Sequence, residues 1–263
     1  MKNFSLLNYE VENKIVFITL NRAEKRNALN YNLIEELRKA LKQAAKESTA
    51  RAIVIRAYGD VFSAGADLES LKEMQKNSRK KNLADSVHLK EMFLEIYEHR
   101  LPVIAQVEGH AIAGGCGLAT VCDFVFAVPE AQFGYTEVRI GFIPAIVMVF
   151  LIRKIGEGRV KELMLTGKLI SAATAKDFGL INFISEKNKI AGEVKTFAQK
   201  LISETSPNSI QQTKKLMASI NGKEMKNNLQ LACEMNADTR ASNDCKMGVS
   251  SFLKKEKLDW NKI

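Results

Sequence analysis

Several residue types that carry chemistry in other proteins are scarce in this chain of 263 residues. It has three histidines and four cysteines, Cys116, Cys122, Cys233 and Cys245. No two cysteines form a C-x-x-C pair, so the spacing of a zinc site is missing and no metal is expected. Four cysteines are too few for a disulfide framework, and reduced thiols in a cytoplasmic protein are the expectation. No apolar run approaches the roughly 20 residues that a membrane-spanning helix needs. The longest, Phe142 to Ile152, contains Pro144 and ends at Arg153 and Lys154; it reads as buried core. Met1 to Ser5 lack the apolar stretch of a secretory signal. The phosphate-cradling G-x-x-x-x-G-K and the nucleophile turn G-x-S-x-G are both absent.

What is present is an ordinary globular composition, 46% apolar and 26% charged, with core enough to fold unaided. Basic residues exceed acidic ones by 39 − 30 = 9. The excess is dispersed, which reads as lysine-rich solubility. Residues 38–51 hold Arg38, Lys39, Lys42, Lys46 and Arg51. This stretch supports a less favoured nucleic-acid-binding reading, which steep salt dependence would reveal.

Strand and helix signals alternate along the first two thirds. Lys14–Leu20 is β-rich, and Phe4–Val11 is expected to pair with it through a turn at Glu12-Asn13. Asn30 reads as a helix cap ahead of Leu33, Ile34, Leu37, Leu41, Ala44 and Ala45 at helical spacing. Arg51–Arg56, Pro102–Val107, Phe124–Val128 and Leu180–Ile184 are further expected strands. Helices are expected from about Asp67 and over Ser86–His99, with polar residues 75–82 as a mobile surface segment between them. Beyond Ile184 only helices are expected, Pro207 suiting a first turn.

Two glycine-rich turns, Ser63-Ala64-Gly65-Ala66-Asp67 and Ala113-Gly114-Gly115-Cys116-Gly117, each follow an expected strand and open an expected helix. Such turns leave backbone N–H groups free at a helix N-terminus. Two of them converging would bind an oxyanion. Taken alone, each is equally well a tight turn that needs glycine.

These turns, together with Asn21-Arg22, Asn27-Ala28-Leu29, Cys122-Asp123, Phe133-Gly134, Glu137, Gly141 and Pro144, occur in the order and spacing of the crotonase, or enoyl-CoA hydratase/isomerase, superfamily. The resemblance covers nearly the whole chain. It implies an α/β crotonase-type spiral of repeated ββα units over residues 1–200, binding acyl-CoA, and a helical trimerisation region over 201–263. It implies a homotrimer or homohexamer and no cofactor beyond the coenzyme A of the substrate. Ala23 departs from the family's usual proline, which alters a turn.

The resemblance also implies roles. The Ala66 and Gly114 amides match the pair that polarises a thioester carbonyl, and Glu137 matches a catalytic glutamate. The family's second glutamate falls on Gly117, which has no side chain. Lys25, Arg26, Ala64, Asp67, Phe252 and Lys255 match positions that hold coenzyme A, the last two often supplied by a neighbouring subunit. The run Glu137–Ala145 resembles bacterial methylglutaconyl-CoA hydratases, whose substrates carry a second carboxylate; Arg139 is one candidate to meet it, although a structural salt bridge is the better expectation. Hydration of an enoyl-CoA is therefore expected. Double-bond isomerisation by one glutamate is the alternative.

Overall fold

The middle strands of the first sheet are built from segments apolar on both faces, the pattern of a parallel sheet covered on each side. The computed structural model describes residues 4–256 and 258–262. Strands β1 (Leu7–Glu12) and β2 (Ile15–Leu20) form an antiparallel hairpin closed by Asn13 and Lys14, both at positive φ. The turn thus lies one residue beyond the expected Glu12-Asn13, because the paired register runs to Glu12 opposite Ile15. Every residue of β2 is buried. Parallel to it run β3 (Ala52–Ala57), then β5 (Val103–Val107), β7 (Phe124–Ala127) and β10 (Phe183–Ile184), in the sheet order β1-β2-β3-β5-β7-β10.

A second sheet interleaves with the first. It comprises β4 (Val61–Ser63), β6 (His110–Ile112), β8 (Gln132–Gly134) and β9 (Ile170–Ser171), the first three mutually parallel. The chain therefore winds as a spiral. Each coil lays one strand in the large sheet (β3, β5, β7), the next in the small sheet (β4, β6, β8), and then turns into helix. None of these short second-sheet strands is among the strands expected from the sequence; β4 and β6 run into the two glycine-rich turns.

Ten α-helices among the described residues complete the fold. Helix α1 (Tyr31–Lys46) starts where expected, the Asn30 side chain accepting from the Leu33 N–H at 2.9 Å. Asp67 caps α2 (Leu68–Met74). Helix α3 (Arg79–Tyr97) begins within the segment expected to be mobile surface. Ser78 caps it, and Asn82 is buried with its amide on the Met74 carbonyl. After α4 (Gly114–Thr120), α5 (Ala145–Thr166) carries the long apolar run and is interrupted by non-helical Gly156. After α5 come β9, α6 (Ala172–Asp177) and β10, and beyond Ile184 the described elements are helices, as expected: α7 (Ile190–Glu204), α8 (Pro207–Ser219), α9 (Gly222–Ala241), α10 (Asn243–Lys254) and a last 3₁₀ turn at Trp260–Lys262. Met225, Leu229 and Cys233 of α9 belong to the same apolar core as β2, β3 and β5.

Candidate active site

Because β4, β6 and β8 are parallel neighbours, their carboxyl ends lie side by side, strands being spaced by about 4.8 Å. Ala66 follows β4 by three residues, Gly114 follows β6 by two, and Glu137 follows β8 by three. All three line one cavity of about 170 Å³, walled otherwise mainly by apolar side chains including Leu71, Met74, Ile140, Phe142, Ile143 and Val147.

The local hydrogen bonds explain why two amides are left over. Leu29 N–H donates to the Gly65 carbonyl at 2.7 Å, and Asp67 N–H donates to the Leu29 carbonyl at 3.0 Å. In this parallel bridge the N–H of Ala66, between them, points away from Leu29. It has no acceptor among the described residues. Gly114 opens α4, so its N–H is one of the helix donors without an intrahelical partner. The two turns pack directly on each other. Gly65 sits at φ +86°, and a Cβ built there would stand 2.8 Å from Ala113 Cβ, 2.9 Å from the Ile112 oxygen and 3.4 Å from the Gly114 nitrogen. Ala113 takes a φ of +52° to accommodate this junction, its N–H bonded to Gly134 of the third coil.

Glu137 begins a short 3₁₀ turn, Glu137–Ile140, and is buried at 8% exposure. Its Oε2 has no hydrogen-bond partner among the described residues. Burial pushes its carboxyl up to about 7, with its own backbone N–H offsetting part of the effect. A carboxyl group that is half-ionised near neutral pH, with one oxygen unpaired and facing an apolar cavity, can both take and give a proton.

Position 117 is filled from the other side. A Cβ built on Gly117 would fall into the Val147 side chain of α5 and stand 3.3 Å from Phe93 Cζ. The space into which a second acid would project is thus occupied by packed hydrocarbon.

The remaining expected ligand residues are placed as follows. Ala64 and Phe252 line the cavity. Phe252 does so within its own chain, since α10 packs over the Glu137–Ile140 turn. Lys25 and Arg26 lie on the loop before α1. Lys25 is exposed and 3.5 Å from Glu69, and the Arg26 carbonyl accepts from Ala64 N–H at 3.0 Å. Lys255 is exposed at the end of α10. The Asp67 carboxylate is occupied internally: Oδ1 accepts from Glu69 and Ser70 N–H, and Oδ2 accepts from Arg22 at 2.7 Å. Burial works to raise its pKa, but these bonds hold it below the ordinary range. Arg139 is exposed and outside the cavity wall, beside the turn at Gly167.

The other candidates are structural. His99 is buried between the Leu41 carbonyl and the Leu101 N–H, and burial lowers its pKa to about 4. His88 stacks on Tyr31, and exposed His110 accepts from Gln132 N–H. Burial raises the Cys116 thiol to about 12, so it carries no thiolate at neutral pH. Sequence reasoning missed a polar group in the cavity wall: Asp85 of α3 with Asn236 and Arg240 of α9. Their separation of some 150 positions hides the group, and the only local signal is the i, i+4 spacing of Asn236 and Arg240.

Known proteins resemble this chain over most of its length. Residues 10–262 match the enoyl-CoA hydratase/isomerase family. The mitochondrial enoyl-CoA hydratase of Pongo abelii is 34% identical, the alignment covering 94% of this chain and 84% of that protein. The 2,3-dehydroadipyl-CoA hydratase of Escherichia coli is 29% identical over 95% of this chain and 96% of its own. The crystal structure of an enoyl-CoA hydratase from Bacillus halodurans superposes with a TM-score of 0.88 at 28% identity, covering 94% of this chain and all of that one. Interleaved spiral, paired turns and sequence together make the chain a member of the enoyl-CoA hydratase/isomerase, or crotonase, family of enzymes.

Proposed function

We propose that this enzyme adds water across the double bond of an α,β-unsaturated acyl-CoA, with the methylglutaconyl type as leading substrate. The observation that carries the reading is the buried Glu137 carboxyl, its Oε2 without a partner among the described residues, beside two free amides at three adjacent strand ends. In this scheme the Ala66 and Gly114 N–H groups bond the thioester oxygen and stabilise the negative charge that develops on it. Glu137, as carboxylate, takes a proton from water as the water oxygen bonds Cβ. As the resulting acid it gives a proton to Cα, and the enolate collapses to the saturated 3-hydroxyacyl thioester. One carboxyl performs both steps, and its pKa near 7 suits each. Lys25 and Arg26 at the exposed edge of the first turn suit the phosphates of coenzyme A.

Isomerisation is the second reading, because Val147 fills the space beside Gly117 and leaves Glu137 as the acid next to the two amides, which is enough to shuttle a proton. A panel of acyl-CoA esters separates the two by following hydration and β,γ-to-α,β migration. Hydration is expected, and Glu137→Gln should lower turnover by about 10²–10⁴-fold. Migration without any water addition would overturn the hydratase reading. A nucleic-acid role is disfavoured, since Arg38 and Lys42 pair with Glu95, and Lys39 with Glu35. Exposed Leu216, Met217, Ile220, Leu231 and Met235 on the C-terminal helices support a trimeric or hexameric assembly.

A further inference from the structure

We propose that Arg240 reads the distal end of the acyl chain and selects substrates that end in a carboxylate. This rests on the acyl-CoA reading of the cavity and adds the residue that sets its specificity. Arg240 belongs to α9, yet its side chain forms part of the cavity that contains Glu137, and it is 7% exposed. A buried guanidinium keeps its charge and must find acceptors for five N–H groups. Here two are used. Nε donates to Asn236 Oδ1 at 3.1 Å, and Nη1 donates to Asp85 Oδ2 at 2.6 Å. Nη2 has no acceptor among the described residues.

Its neighbours hold the fork in place. Asn236 Oδ1 also accepts from Ser86 Oγ at 2.8 Å, and the Asn236 amide donates to the Ile143 carbonyl at 3.4 Å. The guanidinium carbon stands 5.7 Å from the centre of the Phe142 ring. Ile140, Phe142 and Ile143 therefore connect the Glu137 end of the cavity to the Arg240 end by an apolar wall. Asp85 is the less buried partner, its side chain 42% exposed, so water solvates it while Arg240 is enclosed. With Nε and one Nη1 N–H engaged, both N–H groups of Nη2 and the second of Nη1 are left over, and the Nη1–Nη2 end of the fork matches the planar two-oxygen geometry of a carboxylate. A purely alkyl tail would leave those N–H groups desolvated and unpaired.

The test uses saturated probes, so it does not depend on turnover. Binding of glutaryl-CoA and pentanoyl-CoA, equal in chain length and differing by the terminal carboxylate, is measured by calorimetry. The coenzyme charge cancels between them. The wild type is expected to prefer glutaryl-CoA by about 10- to 100-fold, the range of a charge-assisted hydrogen bond. Arg240→Gln should bring the ratio close to one, and Arg240→Lys should restore part of it. Asp85→Asn, which keeps Arg240 and removes the competing carboxylate, should raise the preference. A ratio near one in the wild type, an unchanged ratio in a folded Arg240→Gln, or a fall in Asp85→Asn would overturn the proposal. If both probes bind with the expected preference but no enoyl-CoA is hydrated, the hydratase reading fails and the assignment of Arg240 stands.

Discussion

The raised pKa of Glu137 has a thermodynamic signature separate from catalysis. Its carboxyl sits at about 7 in the folded chain against an ordinary 4.5. Between these values the native state holds a proton that the unfolded chain has released. Stability therefore falls as pH rises from about 4.5 to about 7, and the loss is complete above. The gap corresponds to about 3 kcal/mol when fully expressed. Glu137→Gln keeps the shape and removes the charge. The variant should gain stability relative to wild type by about 2–3 kcal/mol more at pH 8 than at pH 5. The burial-lowered His99 also titrates on unfolding in acid, with its pKa of about 4, but it does so in both proteins and cancels in the difference. Urea denaturation at one protein concentration and several pH values between 5 and 8 measures the quantity directly. Parallel stability profiles for the two proteins would refute the reasoning, because they would mean that Glu137 ionises as readily folded as unfolded.

Three further outcomes are expected. Gly117→Glu should be destabilised by at least the 1–3 kcal/mol typical of overpacking, since its side chain meets Val147. Adding Val147→Gly should recover much of that loss in thermal unfolding, and a single variant as stable as wild type would contradict the packing. Gly65→Ala places a Cβ at φ +86° against the Ile112 oxygen and Ala113. Turnover should fall by about 10²–10³-fold, as for a lost oxyanion donor, and normal turnover would separate the turn junction from the chemistry. All four cysteines are buried and free, so the native protein should resist iodoacetamide at pH 7.5 and react fully in urea. Rapid native labelling read by mass spectrometry would contradict that burial.

Much of this was legible in the sequence because local chemistry and tertiary context agree. Asn30 precedes an amphipathic run and caps α1, and the apolar runs at β2, β3, β5 and β7 are strands buried on both faces. The paired glycine turns are legible for the same reason, since both free amides are backbone groups whose positions depend on small residues. The second sheet was not legible. Its strands of two or three residues are too short for a period-2 pattern, and they pair only once the coils are stacked. The segment 75–82 misled because its polarity looks like loop, whereas Ser78 and buried Asn82 tie it to the start of α3. Arg240 was invisible as a cavity residue because the partners that hold it, Asp85 and Asn236, meet only through the packing of α3 on α9.

Under the proposed mechanism the spiral gives one duty to each coil. The first turn of the winding presents Ala66, the second Gly114, and the third Glu137. The first two contributions are main-chain atoms, so almost any small side chain preserves them. The third is a side chain that can be exchanged without touching the other two. Reactivity in such a scaffold can diverge through the last coil and the helix packed on it, while the means of activating a thioester passes unchanged from one descendant to the next. The occupation of the Gly117 space by Val147 fits that asymmetry: an acid is missing on one side of the cavity, and both amides remain.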